Sequence, residues 1–322
     1  MTSIPLRGPL ALALLLNLAA PALASCGSSF CTLMTDRYAQ GAGEHPGWST
    51  DLRFEAVTQD RLRSGSHDIE ASQVTGEEAI ERRTRNQNLV ATLSHGIADA
   101  WTLSLRVPLV RRDHVHDLID EDSGALGASE RWQFTRLADV QLLARRRLGS
   151  ADGDGPAWAA FGGLKLPSGS TRLANADGTR AERALQPGSG TTDAVLGIAA
   201  RQALGVADAL LAQASWTQAL NMHEDFKPGR RVELSLGWSH AVSPSFGAVL
   251  QLNARQRGRD QGAQAEPANS GSTTIDLSPG LTWAAGPAST LYAYLQRPLV
   301  QKVNGIQLVP RAAFAAGWTH DF

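Results

Sequence analysis

Apolar and polar residues alternate one by one along most of this chain, and a period of two is the repeat of a half-buried β-strand. Trp101, Leu103, Leu105, Val107 and Leu109 fall on one face, with Thr102, Ser104 and Arg106 on the other. Val232, Leu234, Leu236 and Trp238 alternate with Glu233, Ser235 and Ser239. Phe246, Ala248, Leu250 and Leu252 oppose Val249, Gln251 and Asn253, and Ile275, Leu277, Leu281 and Trp283 oppose Thr274, Asp276 and Ser278. Phe314, Ala316, Trp318 and Phe322 share a face at the end of the chain. No heptads and no long amphipathic helix pattern compete with these repeats, so the expected class is all-β.

Strands are expected near 48–58, 84–95, 100–111, 131–147, 157–166, 191–202, 208–220, 230–240, 245–257, 272–285, 289–298 and 307–322. Their connections alternate in length. Gly96–Asp99, Leu204–Asp208, Ala241–Pro244 and Gly286–Ala288 are short, and Gly149–Pro156 is only slightly longer. The segments 59–83, 112–130, 167–190, 221–229, 258–271 and 299–306 are longer and polar. Short turns at one end and long loops at the other are the layout of a transmembrane antiparallel β-barrel, here of about 12 strands across 47–322. Both termini then fall at the short-turn end, in the periplasm of a Gram-negative cell. Trp48, Trp101, Trp158, Trp238, Trp283 and Trp318 lie near that end and Trp132 and Trp216 nearer the other, as two interfacial girdles require.

The N-terminus fits export. Arg7 precedes the uncharged run PLALALLLNLAAPALA at 9–24, too short for a comfortable span and closed by small residues. A signal peptide over 1–25 is expected. Ala22-Leu23-Ala24 suits ordinary cleavage, while Leu23-Ala24-Ser25-Cys26 resembles a lipoprotein signal; a barrel needs no lipid anchor, which favours the former. Cys26 and Cys31 open a periplasmic segment, 26–46, and are close enough for a small disulfide loop. A formal net charge of −1 argues against nucleic acid as a partner.

The inward face of such a barrel would be polar. Arg53, Glu55, Arg106, Asp139, Arg145, Lys165, Asp193, Arg201, Glu233, Arg255, Asp276, Tyr292, Tyr294 and Arg311 are the lumen candidates. Both signs are present, which suits a water-filled pore of low ion preference or a salt-bridged interior that holds the barrel rigid. Twelve strands leave room for a narrow channel, unless 26–46 or a long loop folds inside. The first reading is a porin-like channel for small solutes. The alternative is a closed structural barrel whose loops bind metal or a partner. Residues 111–122 read RRDHVHDLIDED, and Asp113, His114, His116 and Asp117 are weak candidates for a metal site, without a fixed ligand spacing. A third reading is a lipid hydrolase. There is no G-x-S-x-G, and Ser239-His240 and His95 lie at short turns. No catalytic residue and no cofactor are expected.

Gly163-Leu-Lys-Leu-Pro-Ser-Gly169, Leu185-Gln-Pro-Gly-Ser-Gly-Thr-Thr-Asp193 and Pro298-Leu-Val-Gln-Lys-Val-Asn-Gly-Ile-Gln-Leu308 carry a resemblance, together with the Gly317-to-Phe322 ending. They resemble the outer-membrane transporter family named for the meta-pathway of phenol degradation. Cys31-Thr-Leu-Met-Thr-Asp36 and Gly47-Trp-Ser-Thr-Asp-Leu-Arg53 are similar to a subgroup of it. The resemblance implies outer-membrane transport of small hydrophobic or aromatic compounds, and assembly through recognition of the C-terminal strand by the barrel-assembly machinery. It transfers no catalytic residue.

Overall fold

A computed structural model describes residues 33–35, 47–74, 77–98, 100–120, 125–148 and 155–322. The 1–25 leader, Cys26 and Cys31 lie outside the described residues. The long strands are β1 (Gly47–Ser64), β3 (Ala79–Ala98), β4 (Trp101–Ile119), β5 (Leu126–Leu137), β6 (Val140–Leu148), β7 (Ala157–Leu166), β8 (Asp193–Ala203), β9 (Asp208–Ala219), β10 (Arg231–Ala241), β11 (Phe246–Arg257), β12 (Ser272–Gly286), β13 (Ser289–Val303) and β14 (Ile306–Asp321). β2 (His67–Asp68) folds back on the end of β1. Every pairing is antiparallel between neighbours, and β14 pairs with β1 from Ser49–Asp321 to Ser64–Ile306, which closes the sheet. β5 and β6 occupy one wall position: β4 pairs with β5 from Leu109 upward and with β6 from Arg106 downward. The result is a closed twelve-stranded barrel, with no α-helix among the described residues.

Closure removes the sheet edges that lipid cannot solvate, and alternation sorts the side chains into wall and interior. Trp48, Trp101, Trp158, Trp238 and Trp283 are 42–47% exposed and ring the short-turn end. Leu52, Phe54, Leu89, Leu93, Leu103, Leu105, Leu196, Leu234, Leu236, Leu250, Leu295 and Phe314 form an exposed apolar belt above them. Trp132 departs from the expected second girdle. It is 3% exposed, on the inner face of β5, alternating with exposed Arg131 and Gln133.

Two expected loops are largely strand. The 112–130 segment continues β4 to Ile119 and resumes as β5 at Leu126, and the 299–306 segment reduces to a turn at Asn304–Gly305. Charged side chains hid this along 112–130, because a strand standing clear of the lipid belt has no reason to be apolar outside.

Candidate functional site: the barrel interior

Of the fourteen lumen candidates, thirteen lie on the inner face and Arg311 does not. β14 passes one extra residue between the Val57–Ala313 and Gln59–Pro310 pairs. That bulge reverses the phase of the strand. The Arg311 side chain is 69% exposed, 3.4 Å from Asp60 of the outer face.

The interior is crossed by Leu33–Thr35. Gln251, fully buried on β11, holds this tripeptide as a strand neighbour would. The Met34 amide donates to Gln251 Oε1 at 3.0 Å, and Gln251 Nε2 donates to the Met34 carbonyl at 2.9 Å. Arg53 Nη1 donates to Thr35 Oγ1 at 2.6 Å, and its Nε donates to Glu55 at 2.8 Å. Leu33 packs with Val249, Tyr292, Tyr294 and Ala315, and Met34 with Leu211. The Tyr292 hydroxyl donates to Asp51 at 2.7 Å. Three residues of the 26–46 segment therefore stand inside the barrel.

A second constellation sits where β5 gives way to β6. Lys165 Nζ lies 2.7 Å from Asp139 and 3.3 Å from Asp193, and all three side chains are at most 13% exposed. Asp139 also accepts from the Gly169 and Ser189 amides at 3.0 and 2.9 Å. Thr191 Oγ1 donates to Asp193 at 2.6 Å. Gly169 and Gly188 meet backbone to backbone, and a Cβ built on either falls 2.7 Å from the other's Cα. Two of the motifs, Gly163–Gly169 and Leu185–Asp193, thus converge on one buried ionic node, which fastens both ends of the 167–192 loop.

That loop covers a gap. β6 pairs with β7 only as far up as Val140–Leu166, so β5 has a strand partner on its β4 side alone among the described residues. The loop turns inward beside this edge. Ala181 and Leu185 bury against Trp132, whose Nε1 donates to the Thr179 carbonyl at 2.9 Å. Arg112 reaches across to the Leu185 carbonyl and to Asn86 Oδ1, the latter at 2.6 Å. Outside the wall, Glu224 accepts from Arg172 and Arg180 and ties the loop to its neighbour at 221–230. The hydrogen bonds from Arg180 and Arg172 hold its carboxyl down to about 2. Burial pushes the Glu266 carboxyl, on the 258–271 loop, up to about 10, with Glu182, Glu77 and Asp260 adding repulsion.

The remaining candidates line the inside without a common focus. Glu233 lies opposite Arg255 in the ladder and 3.5 Å from Arg231. Arg106, Arg145 and Arg201 face inward nearer the short-turn end, and Asp276 is buried on β12. The proposed metal set divides between two faces of β4. His114 and His116 are buried inside, bonded to Thr84 at 2.8 Å and Glu130 at 2.9 Å. Asp113 and Asp117 point outward to Arg131 and Arg82. Successive strand residues point opposite ways, so the four cannot converge on one ion. The same rule separates Ser239 from His240, which stacks on Trp238 beside Asp208.

Trp132, Leu185 and Met34 are among the interior residues that were not lumen candidates. The alternation of Glu130, Trp132 and Phe134 against Arg131, Gln133 and Thr135 was a usable signal for the first.

No protein-family model matches the chain, and no curated protein does. Solved structures do. The COG4313 outer membrane channel from Pseudomonas putida F1 superposes with a TM-score of 0.63 at 16% identity, covering 87% of this chain and 97% of that one. The NanC porin gives 0.48 at 10% identity over 85% and 100% of the two chains. The beta domain of the Bordetella autotransporter BrkA gives 0.47 at 13% over 86% and 100%. At such identity the first likeness speaks for the fold: this chain has the fold of an outer-membrane β-barrel channel.

Proposed function

We propose that this protein is an outer-membrane channel for small solutes, of the transporter family that its loop motifs resemble, and that those solutes are apolar or aromatic. The observation that carries this reading is the gap in the wall beside β5, backed from inside by the 167–192 loop. An unpartnered strand edge is a liability, so a barrel retains one where it serves passage or is covered. Here the covering element is a loop resting on an apolar patch of Trp132, Ala181 and Leu185. A hydrated central route is narrowed by Leu33–Thr35 between Gln251 and Arg53. Export through the 1–25 leader, and both termini on the periplasmic side, belong to the same reading.

The test is conductance of the refolded barrel in a planar bilayer, paired with transfer of a fluorescent aromatic hydrocarbon into liposomes that carry it. Small steps are expected from the unaltered protein. Q251A, which frees the tripeptide, should enlarge them severalfold and leave aromatic transfer unchanged. Trp132→Ala should alter transfer. Wide porin-like steps without aromatic transfer would reject the reading. A folded barrel that passes neither ions nor hydrocarbon would be the closed structural alternative.

A further inference from the structure

The outer wall carries a basic groove that the passage of solutes does not use. On the outer face of β3 and β4, Leu89 opposite Leu109 is the last leucine rung of the apolar belt. The next rung is Gln87 opposite Arg111, and the one after is Arg85 opposite Asp113. Each rung rises about 6.6 Å along the strand, so the arginines stand just above the lipid-facing belt. Arg311 flanks them on β14, turned outward by the bulge. Together they line a groove of about 600 Å³ whose lower wall is Leu295 and Phe314.

The charges of this face do not cancel. Asp113 is taken by both forks of Arg131 at 2.8 and 2.7 Å, Asp117 by Arg82 at 3.3 Å, and Asp60 by Arg311 at 3.4 Å. Arg85 and Arg111 are exposed; Arg85 attracts Asp113 opposite it, a carboxylate already held by Arg131, so the excess of positive charge remains. They are diagonal neighbours across the β3–β4 ladder, with Cβ atoms about 7 Å apart, near enough for two guanidiniums to share one phosphate. Outward positions at the same level on the far side of the barrel, Ala194, Gln218, Val232 and Gln256, carry no charge.

We propose that this groove binds the phosphorylated glucosamine headgroup of an outer-leaflet glycolipid, lipid A. Arg85 and Arg111 hold a phosphate, and the acyl chains lie on Phe314, Leu295 and the belt below. Multiple phosphates above several acyl chains match a cationic groove above an apolar wall, and a protein partner would not need the two stacked in this order. The proposal rests on the reading that the long-loop end faces the cell exterior.

The test uses the whole refolded barrel in detergent, its folding verified by heat-modifiable mobility. It is titrated by native mass spectrometry with bisphosphorylated lipid A, dephosphorylated lipid A, phosphatidylglycerol and inorganic phosphate. Bisphosphorylated lipid A should bind at least tenfold more tightly than the other three. The R85Q/R111Q pair should lose that preference, R85K/R111K should recover part of it, and R230Q, above β10, should leave it intact. Equal binding of the dephosphorylated form, or an unchanged R85Q/R111Q barrel, overturns the proposal. Equal binding of phosphatidylglycerol reduces the groove to an unspecific anionic-lipid surface, and saturation by phosphate alone to a small-anion site; both overturn it. Protease added to whole cells checks the premise separately. Cleavage in 258–271 places the long loops outside, so failed lipid binding then counts against the groove alone; protection from cleavage removes the premise and the proposal with it.

Discussion

The two sides of this barrel are built differently. From β6 round to β12, six successive ladders run without a register shift. From β12 through β14 and β1 to β5, shifts occur in the β12–β13, β14–β1, β3–β4 and β4–β5 pairings. Strand length follows the same division. β7 to β11 have 10–12 residues, close to the 9–11 that a tilted strand needs to cross a bilayer. β1, β3 and β4 have 18, 20 and 19. The regular side is a lipid-spanning wall and little else. The irregular side stands beyond the belt, where its strands carry the arginine groove, the bulge at Arg311 and the gap beside β5. Regularity serves the wall, and the departures from it mark the places where the barrel meets something other than lipid.

The largest effect is expected at the seam between the two sides. Lys165→Met would leave Asp139 and Asp193 facing each other in a buried node without their cation. A loss of about 3–5 kcal/mol is expected, read as a lower urea midpoint of the barrel refolded into vesicles. An unchanged midpoint would mean that the node is dispensable and the 167–192 loop is held elsewhere. Next comes the regular wall. Leu234→Arg places a charge near the middle of the belt on β10 and should cost about 2–4 kcal/mol in the same assay.

A pH series sharpens the contrast between wall and loops. Glu266 binds its proton in the folded loop between its ordinary 4.5 and about 10. Over that window the folded state holds the extra proton, so stability falls as pH rises. E266Q, which mimics the protonated form, should flatten that slope. A slope unaltered in E266Q would assign it to another group. Glu224 runs the opposite way: its arginines favour the carboxylate, and their support is lost as pH falls from 4.5 towards about 2. Smallest of all is Arg311→Leu. Its ion pair with Asp60 is exposed, so a change within about 0.5 kcal/mol is expected. A loss as large as that from Leu234→Arg would return Arg311 to the interior and restore the phase that simple alternation assigns it.

Much of the fold was legible in the sequence, because lipid imposes a strict rule. A wall strand must be apolar on every second residue, and no soluble compensation is open to it. The runs through Leu103, Leu234, Leu250 and Leu281 state that rule plainly, and the 258–271 connection falls where it was expected. Alternation also placed thirteen of fourteen lumen candidates on the inner face. It failed at Arg311 because a bulge inserts a single residue that alternation does not announce. It failed along 112–130 because strands above the belt answer to water on the outside, where arginine and aspartate are as acceptable as leucine is in lipid.

Local pattern alone fixes the barrel: its strand count, its girdle at Trp48, Trp101, Trp158, Trp238 and Trp283, and the polar character of its interior. Those follow from a period-two pattern that each strand carries locally. It does not say that Gln251 clasps Met34, 217 residues away in sequence, that Lys165 joins Asp139 to Asp193, or that the 167–192 loop folds inward behind Trp132. Such contacts depend on which strands closure brings face to face across the interior, and no local pattern encodes a partner on the far wall.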